Sequence, residues 1–81
     1  MLNEIRQILM RVGNLSSPAV SLADEADLYD AGLTSFASVQ LMLALEDAFD
    51  IEFPERLLRR QTFESIGAIS AAIDELSLES A

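Results

Sequence analysis

Asp30 to Asp50 read DAGLTSFASVQLMLALEDAFD, and this stretch decides the fold. Gly32-Leu33-Thr34 breaks regular structure, and Thr34 or Ser35 can then cap a helix by satisfying a free backbone donor of its first turn. From there residues run without Gly or Pro to Asp50. Leu41, Met42, Leu45 and Phe49 recur at i, i+1, i+4 and i+8, the spacing of one buried helical stripe. Phe36, Val39 and Leu43 form a further row at i, i+3 and i+7, rotated away from the first. Gln40, Glu46, Asp47 and Asp50 are the polar breaks after the first turn. A helix in a small bundle needs one apolar stripe. Two rows mean either a central helix with both rows buried or a second row left exposed for a partner. Pattern alone favours the broad core.

On the N-terminal side, Leu2, Ile5, Ile8, Leu9 and Val12 mark one apolar face, which predicts a helix over 2–12. Gly13-Asn14 reads as its C-cap. The connection from Asn14 to Thr34 opens on the breaker Ser16-Ser17-Pro18. Loops of this length in a compact domain tend to be functional or disordered. Leu15, Val20, Leu22, Leu28, Tyr29 and Leu33 argue for a pinned loop, with Asp24, Glu25, Asp27 and Asp30 on its wet side.

On the C-terminal side, Pro54 to about Arg59 reads as a short helical turn, because proline suits the first helical position. A last helix follows Thr62, its expected N-cap, and runs to about Leu76 on the stripe Ile66, Ile69, Ile73 and Leu76. Residues 76–81 are expected to fray. No segment alternates with period two. The fold class is therefore all-α: a small four-helix bundle of three longer helices and one short one, with a long loop between the first two. Residues 1–81 form a single domain.

The chain is 51 % hydrophobic with three Gly and two Pro, a folding composition. Fourteen Asp and Glu face five basic residues, all Arg, for a net charge of −9. Such a surface repels nucleic-acid phosphates and anionic membrane and attracts basic protein patches. No apolar run is long enough to span a bilayer. Met1 to Arg6 lacks the layout of an export signal, so the expected compartment is the cytoplasm. The chain has no Cys, His, Lys or Trp. That removes a thiol nucleophile, a Ser–His pair, a Schiff base and the usual soft or imidazole metal ligands. An independent enzyme is not expected.

An EF-hand beginning at Asp27 places Gly32 at the sixth position, but Tyr29, Ala31 and Ser38 then occupy ligand positions and lack the required oxygens. No metal site is assigned. Asp27 and Asp30 read as a solvated acidic loop rather than an acid–base pair. Arg56, Arg59 and Arg60 form a small basic cluster, read as internally paired or solvated. Ser35 by itself reads as an N-cap, although a phosphate attached at a helix start is electrostatically favoured.

The segment from Asp30 to Asp50 also resembles the phosphopantetheine-attachment region of acyl carrier proteins. That family shows an Asp, a Gly two residues on, then a serine opening a helix that ends near an acidic-Phe-Asp; here these are Asp30, Gly32, Ser35 and the run Leu41 to Asp50. The likeness continues through Ile51-Glu52-Phe53-Pro54 and Ala71-Ala72-Ile73-Asp74, covering most of the chain.

The resemblance implies a carrier. Ser35 would bear a covalent 4'-phosphopantetheine arm from coenzyme A, with Gly32 and Thr34 shaping the supporting turn. The arm's thiol would hold an acyl or aminoacyl cargo as a thioester. The implied partners are a phosphopantetheinyl transferase, an acyl or amino acid:carrier protein ligase and a downstream acceptor enzyme, with no nucleic acid and no membrane, and with the carrier as a monomer. The implied docking face is Phe36, Val39, Leu43, Glu46, Asp47 and Arg56, which shifts the weighting of the second row toward exposure.

Three departures stand out: Thr34 where Asp is usual, Phe36 where Leu or Ile is usual, and no acid over Ala37 to Gln40. Weaker negative charge there disfavours typical fatty-acid synthesis partners. Together with the three arginines, it resembles the stand-alone carriers charged with amino acids by synthetase-like ligases. The alternative is an unmodified acidic helical adaptor that binds a protein through its second helix.

Overall fold

The computed structural model describes residues 2–12 and 22–80. Among the described residues three α-helices carry the fold: α1 over Leu2–Val12, α2 over Ser35–Phe49 and α3 over Ile66–Ser80. Two 3-10 turns, Glu55–Leu57 and Arg60–Phe63, join α2 to α3. No strand occurs among the described residues.

Each helix buries the centre of the stripe its spacing announces, while Leu2 stays exposed and Val12, Met42 and Phe49 are half-buried. α1 contributes Ile5, Ile8 and Leu9, and α2 contributes Ala37, Leu41 and Leu45. α3 contributes Ile66, Ile69, Ala72, Ile73 and Leu76. α1 packs against both α2 and α3, and the second 3-10 turn packs on α3. Full burial of each large aliphatic side chain favours the fold by about 1.5–3 kcal/mol.

The described part of the long loop is tied down at several points. The Arg6 guanidinium donates to the Leu22 carbonyl at 2.6 Å and pairs with the Asp24 carboxylate at 2.5 Å. The Gly67 N–H donates to the Asp24 carbonyl at 2.8 Å, and the Leu28 N–H to the Glu64 carbonyl at 2.8 Å. A Cβ on Gly67 would lie 3.3 Å from that Asp24 oxygen, so the missing side chain lets α3 approach the loop closely. Leu28 and Leu33 are buried, with Leu22 and Tyr29 packed against the core. The pinned-loop expectation holds for these four residues. Leu15, Val20, the Ser16-Ser17-Pro18 breaker and the Gly13-Asn14 cap lie outside the described residues.

Three expectations are corrected. The element from Pro54 to Arg59 is not one helical turn. Pro54 stands just before the first 3-10 turn, and Leu58 turns out of helical geometry at φ −85°, ψ 67° before the second begins. The buried side chains of Phe53, Leu57, Thr62 and Phe63 set this path, with the Phe53 and Phe63 rings 5.4 Å apart and inclined by 58°. Thr62 does not cap the last helix; it is buried in the second 3-10 turn, and Ser65 Oγ accepts the Ala68 N–H at 3.0 Å instead. α3 also continues past Leu76 to Ser80, because no Gly or Pro interrupts Ser77 to Ser80.

α2 closes on Asp50, which takes the left-handed conformation at φ 53°, ψ 51° and returns its N–H to the Glu46 carbonyl. Aspartate tolerates this region better than most residues. The Glu46 carboxylate then accepts the Phe53 N–H at 2.8 Å, fastening the start of the 3-10 segment to the end of α2.

Candidate functional site

The turn into α2 is built from its own sequence. Asp27 Oδ1 accepts the Tyr29 N–H at 2.9 Å and the Asp30 N–H at 3.4 Å, an Asx turn of the kind short acidic side chains favour. The Gly32 N–H then donates to the Tyr29 carbonyl at 3.1 Å and the Leu33 N–H to the Leu28 carbonyl at 2.9 Å. Gly32 has φ 112°, a conformation that an L side chain rarely adopts. Leu28 and Leu33, both buried, clamp the two ends of this turn to the core.

Thr34 is extended, and its Oγ1 accepts the Ala37 N–H at 3.0 Å. Of the two capping candidates, Thr34 is the cap. Ser35 therefore opens α2 with its side chain exposed, and its hydroxyl makes no hydrogen bond among the described residues. Its carbonyl accepts the Ser38 hydroxyl at 2.7 Å.

Ser35 lines a surface groove of about 390 Å³. Val39, Met42, Leu58 and Phe63 supply apolar surface, and Tyr29, Ser38, Arg59 and Arg60 supply polar and charged groups. The Arg60 guanidinium lies 3.9 Å from the centre of the Tyr29 ring, and the Tyr29 hydroxyl donates to the Arg60 carbonyl at 3.1 Å. Burial pushes the Tyr29 phenol above its ordinary pKa, with Arg60 pulling the other way, so the ring carries its proton at neutral pH. The site thus offers an unengaged alcohol beside an amphipathic groove, but the chain has no His, Cys or Lys to activate that alcohol.

The two apolar rows of α2 have opposite fates. Leu41 and Leu45 are fully buried, whereas Phe36, Val39 and Leu43 are 75 %, 50 % and 51 % exposed. The pattern-based preference for a broad core is overturned: α1 covers the Leu41 and Leu45 side of α2 and leaves the second row open to solvent. Asp47 is exposed one turn beyond Leu43 and extends the same row. Glu46 is half-buried and engaged with Phe53, and Arg56 pairs with Glu75 across 3.1 Å on the exposed surface. Of the six anticipated docking residues, four share one exposed face of α2 and two have internal partners. The groove residues Tyr29, Met42, Leu58 and Phe63 escaped sequence reasoning. Met42 fitted the core stripe, and no local signal brings Tyr29 to Arg60 across 31 positions. Among the described residues no cluster of acidic side chains is arranged to hold a metal ion, and no helix is long and apolar enough to cross a membrane.

Comparison with known proteins adds four findings. A family model described as the phosphopantetheine attachment site matches residues 3–73. An aminoacyl carrier protein of Agrobacterium fabrum is 61 % identical over 69 residues, covering 85 % of this chain and 83 % of that relative. Among solved structures, a carrier protein from Agrobacterium tumefaciens, crystallised with an engineered Bradyrhizobium japonicum glycine:[carrier protein] ligase and AMP, superposes with a TM-score of 0.89 at 58 % identity, covering 91 % of this chain and 99 % of that one. A glycylated carrier protein in complex with the Bradyrhizobium japonicum ligase superposes with a TM-score of 0.75 at 27 % identity, over 88 % and 95 % of the two chains.

Proposed function

This chain belongs to the phosphopantetheine-attachment family, and from that premise we propose that Ser35 bears the arm and that the cargo is an amino acid. As a family member the protein is a carrier whose cofactor is covalent 4'-phosphopantetheine. The observation that supports Ser35 is the division of labour at the start of α2: Thr34 takes the capping bond, and the neighbouring hydroxyl stays exposed, without a hydrogen bond among the described residues, on the rim of a groove. The backbone donors of that first turn favour the negative charge the arm brings.

In this reading Ser35 Oγ forms a P–O bond to the phosphopantetheinyl phosphorus of coenzyme A. The pyrophosphate P–O bond breaks, adenosine 3',5'-bisphosphate leaves, and the serine proton passes to a base of the transferase. Gly32 and Thr34 hold the hydroxyl where that enzyme reaches it. The arm supplies a thiol that carries the cargo as a thioester. The carrier has no catalytic activity of its own; it works as a monomer in the cytoplasm and presents cargo to a ligase and to an acceptor enzyme.

The aminoacyl cargo is supported by the relative of Agrobacterium fabrum and by the two ligase complexes. It is supported further by the absence of acidic residues from the first turn of α2, which sets this surface apart from strongly acidic docking helices. The ligase docks on Phe36, Val39, Leu43 and Asp47, a row with an apolar centre and one charged end.

The test is intact-mass spectrometry after incubation with coenzyme A and a promiscuous phosphopantetheinyl transferase. Wild type should gain one phosphopantetheine and Ser35→Ala none, with unchanged circular dichroism. Addition to the Ser35→Ala variant would move the site elsewhere, and no addition to wild type would return the chain to the unmodified adaptor. Holo protein offered amino acids with ATP and a glycine:[carrier protein] ligase should gain an aminoacyl mass that hydroxylamine removes.

A further inference from the structure

We infer that Tyr29 is a positioning residue for the modification of Ser35: it fastens the turn that presents the serine to the second 3-10 turn, and so sets the direction in which the hydroxyl meets the attacked phosphorus. This rests on the assignment of the arm to Ser35 and names a further residue on which that reaction depends.

The first observation is that every polar group of Tyr29 is engaged. Its N–H donates to Asp27 Oδ1 at 2.9 Å, and its carbonyl accepts the Gly32 N–H at 3.1 Å. Both bonds stay within the turn. The hydroxyl reaches outside it, donating to the Arg60 carbonyl at 3.1 Å, and the ring centre lies 3.9 Å from the Arg60 guanidinium. The residue also packs against the core. One side chain thus joins the turn before α2 to an element 31 positions along the chain.

The second observation is that the fastening has two points. The neighbouring Leu28 N–H donates to the Glu64 carbonyl at 2.8 Å, just beyond the second 3-10 turn, while Tyr29 holds Arg60 at its start. A single hydrogen bond leaves a hinge. Two bonds, from adjacent residues to opposite ends of one short element, stop rotation about it. Buried Leu28 and Leu33 hold the turn onto the core, but apolar contact is non-directional, whereas hydrogen bonds have preferred angles. The turn needs this outside reference because Gly32 sits at φ 112°, and glycine resists backbone reorientation least of all residues. Only Leu33 and Thr34 separate it from Ser35.

The third observation separates positioning from docking. Tyr29 and Ser35 line the same groove, but Phe36, Leu43 and Asp47 of the exposed α2 row do not line it. A transferase that grips that row keeps its hold when Tyr29 is changed, yet the hydroxyl spends less time in the reactive geometry. Ser35 Oγ must form its bond to phosphorus opposite the departing adenosine 3',5'-bisphosphate, and small displacements of a reacting atom cost large factors in rate. The loss therefore falls on kcat and leaves KM alone.

The experiment compares wild type, Tyr29→Phe and Tyr29→Ala with coenzyme A and a promiscuous phosphopantetheinyl transferase. Initial rates are followed by intact mass far below each protein's unfolding midpoint, where lowered stability by itself changes no rate. Tyr29→Phe keeps the ring and its stack with Arg60 and loses only the hydroxyl. Its kcat should fall about fivefold, as expected where one hydrogen bond sets the competent fraction, with KM unchanged and a melting temperature near that of wild type. Tyr29→Ala should lose more kcat. Amide exchange at Gly32 and Leu33 should quicken in both variants. Equal kcat in all three proteins would overturn the inference. So would a raised KM at constant kcat, which would place Tyr29 in the docking surface, and so would a reduced kcat with unaltered exchange, which would mean that the hydroxyl acts on the transferase directly. No addition to wild type, or addition to Ser35→Ala, would instead remove the arm from Ser35, and this inference with it.

Discussion

Thr34 Oγ1 accepts the Ala37 N–H at 3.0 Å, while the hydroxyl of the adjacent Ser35 is exposed and makes no hydrogen bond among the described residues. Two neighbouring hydroxyls at one helix start thus have different duties, and the difference follows from backbone geometry. Thr34 is extended at φ −90°, ψ 165°, the conformation from which a side chain can fold back onto the first turn. Ser35 is already helical, and its side chain is exposed. Thr34→Ala should therefore cost about 1 kcal/mol of stability, read by urea denaturation. Thr34→Asp should keep the cap and place favourable charge at the helix start, so its stability should match or exceed that of wild type. A Thr34→Ala variant as stable as wild type would show that the cap contributes nothing.

Gly32 precedes this cap at φ 112°. Gly32→Ala forces a Cβ into a conformation that costs of order 1–3 kcal/mol and should shift the approach to Ser35. We expect a lower denaturation midpoint together with slower modification by the transferase. Normal modification kinetics at reduced stability would separate the turn from presentation of the hydroxyl.

Leu43 and Leu45 lie two residues apart on α2, one 51 % exposed and the other fully buried. Leu45→Ala should cost about 2–5 kcal/mol, a large part of the stability of so small a domain. Leu43→Ala should stay within about 0.5 kcal/mol of wild type yet weaken ligase binding. Thermal melts paired with binding titrations distinguish the two, and a Leu43→Ala protein with unaltered ligase affinity would remove that row from the docking surface.

Glu46 was anticipated on the docking face, but its carboxylate holds the Phe53 N–H at 2.8 Å. Glu46→Ala should destabilise the fold by about 1–3 kcal/mol, the usual cost of leaving a shielded donor unpaired. Glu46→Gln, which retains an acceptor oxygen, should lose much less. If both variants keep full stability and both bind ligase poorly, the residue serves a partner rather than the link from α2 to the 3-10 segment.

Much of this protein was legible from local information. Helical periodicity located α1, α2 and α3 because a stripe such as Ile66, Ile69 and Ile73 has one physical use. The order Gly32, Thr34, Ser35 marked the turn and the helix start because φ above zero and an N-cap each select few residue types. The segment between α2 and α3 was less legible. Pro54 and Thr62 are both good helix openers, yet Pro54 sits just before one 3-10 turn and Thr62 inside the other. There the burial of Phe53, Leu57 and Phe63 overrides local preference.

The sequence by itself determined the all-helical class, the centre of the stripe each helix buries, the acidic surface and the absence of any nucleophile strong enough to act alone. Tertiary structure decided which row of α2 meets water, which of two adjacent hydroxyls is spent on the cap, and that Tyr29 and Arg60 stand together beside Ser35. The reason is the range of the forces involved. Periodicity and capping act over one or two helical turns and are written in adjacent residues. The exposure of Phe36 or the groove at Ser35 depends on what packs alongside, and those neighbours come from remote parts of the chain.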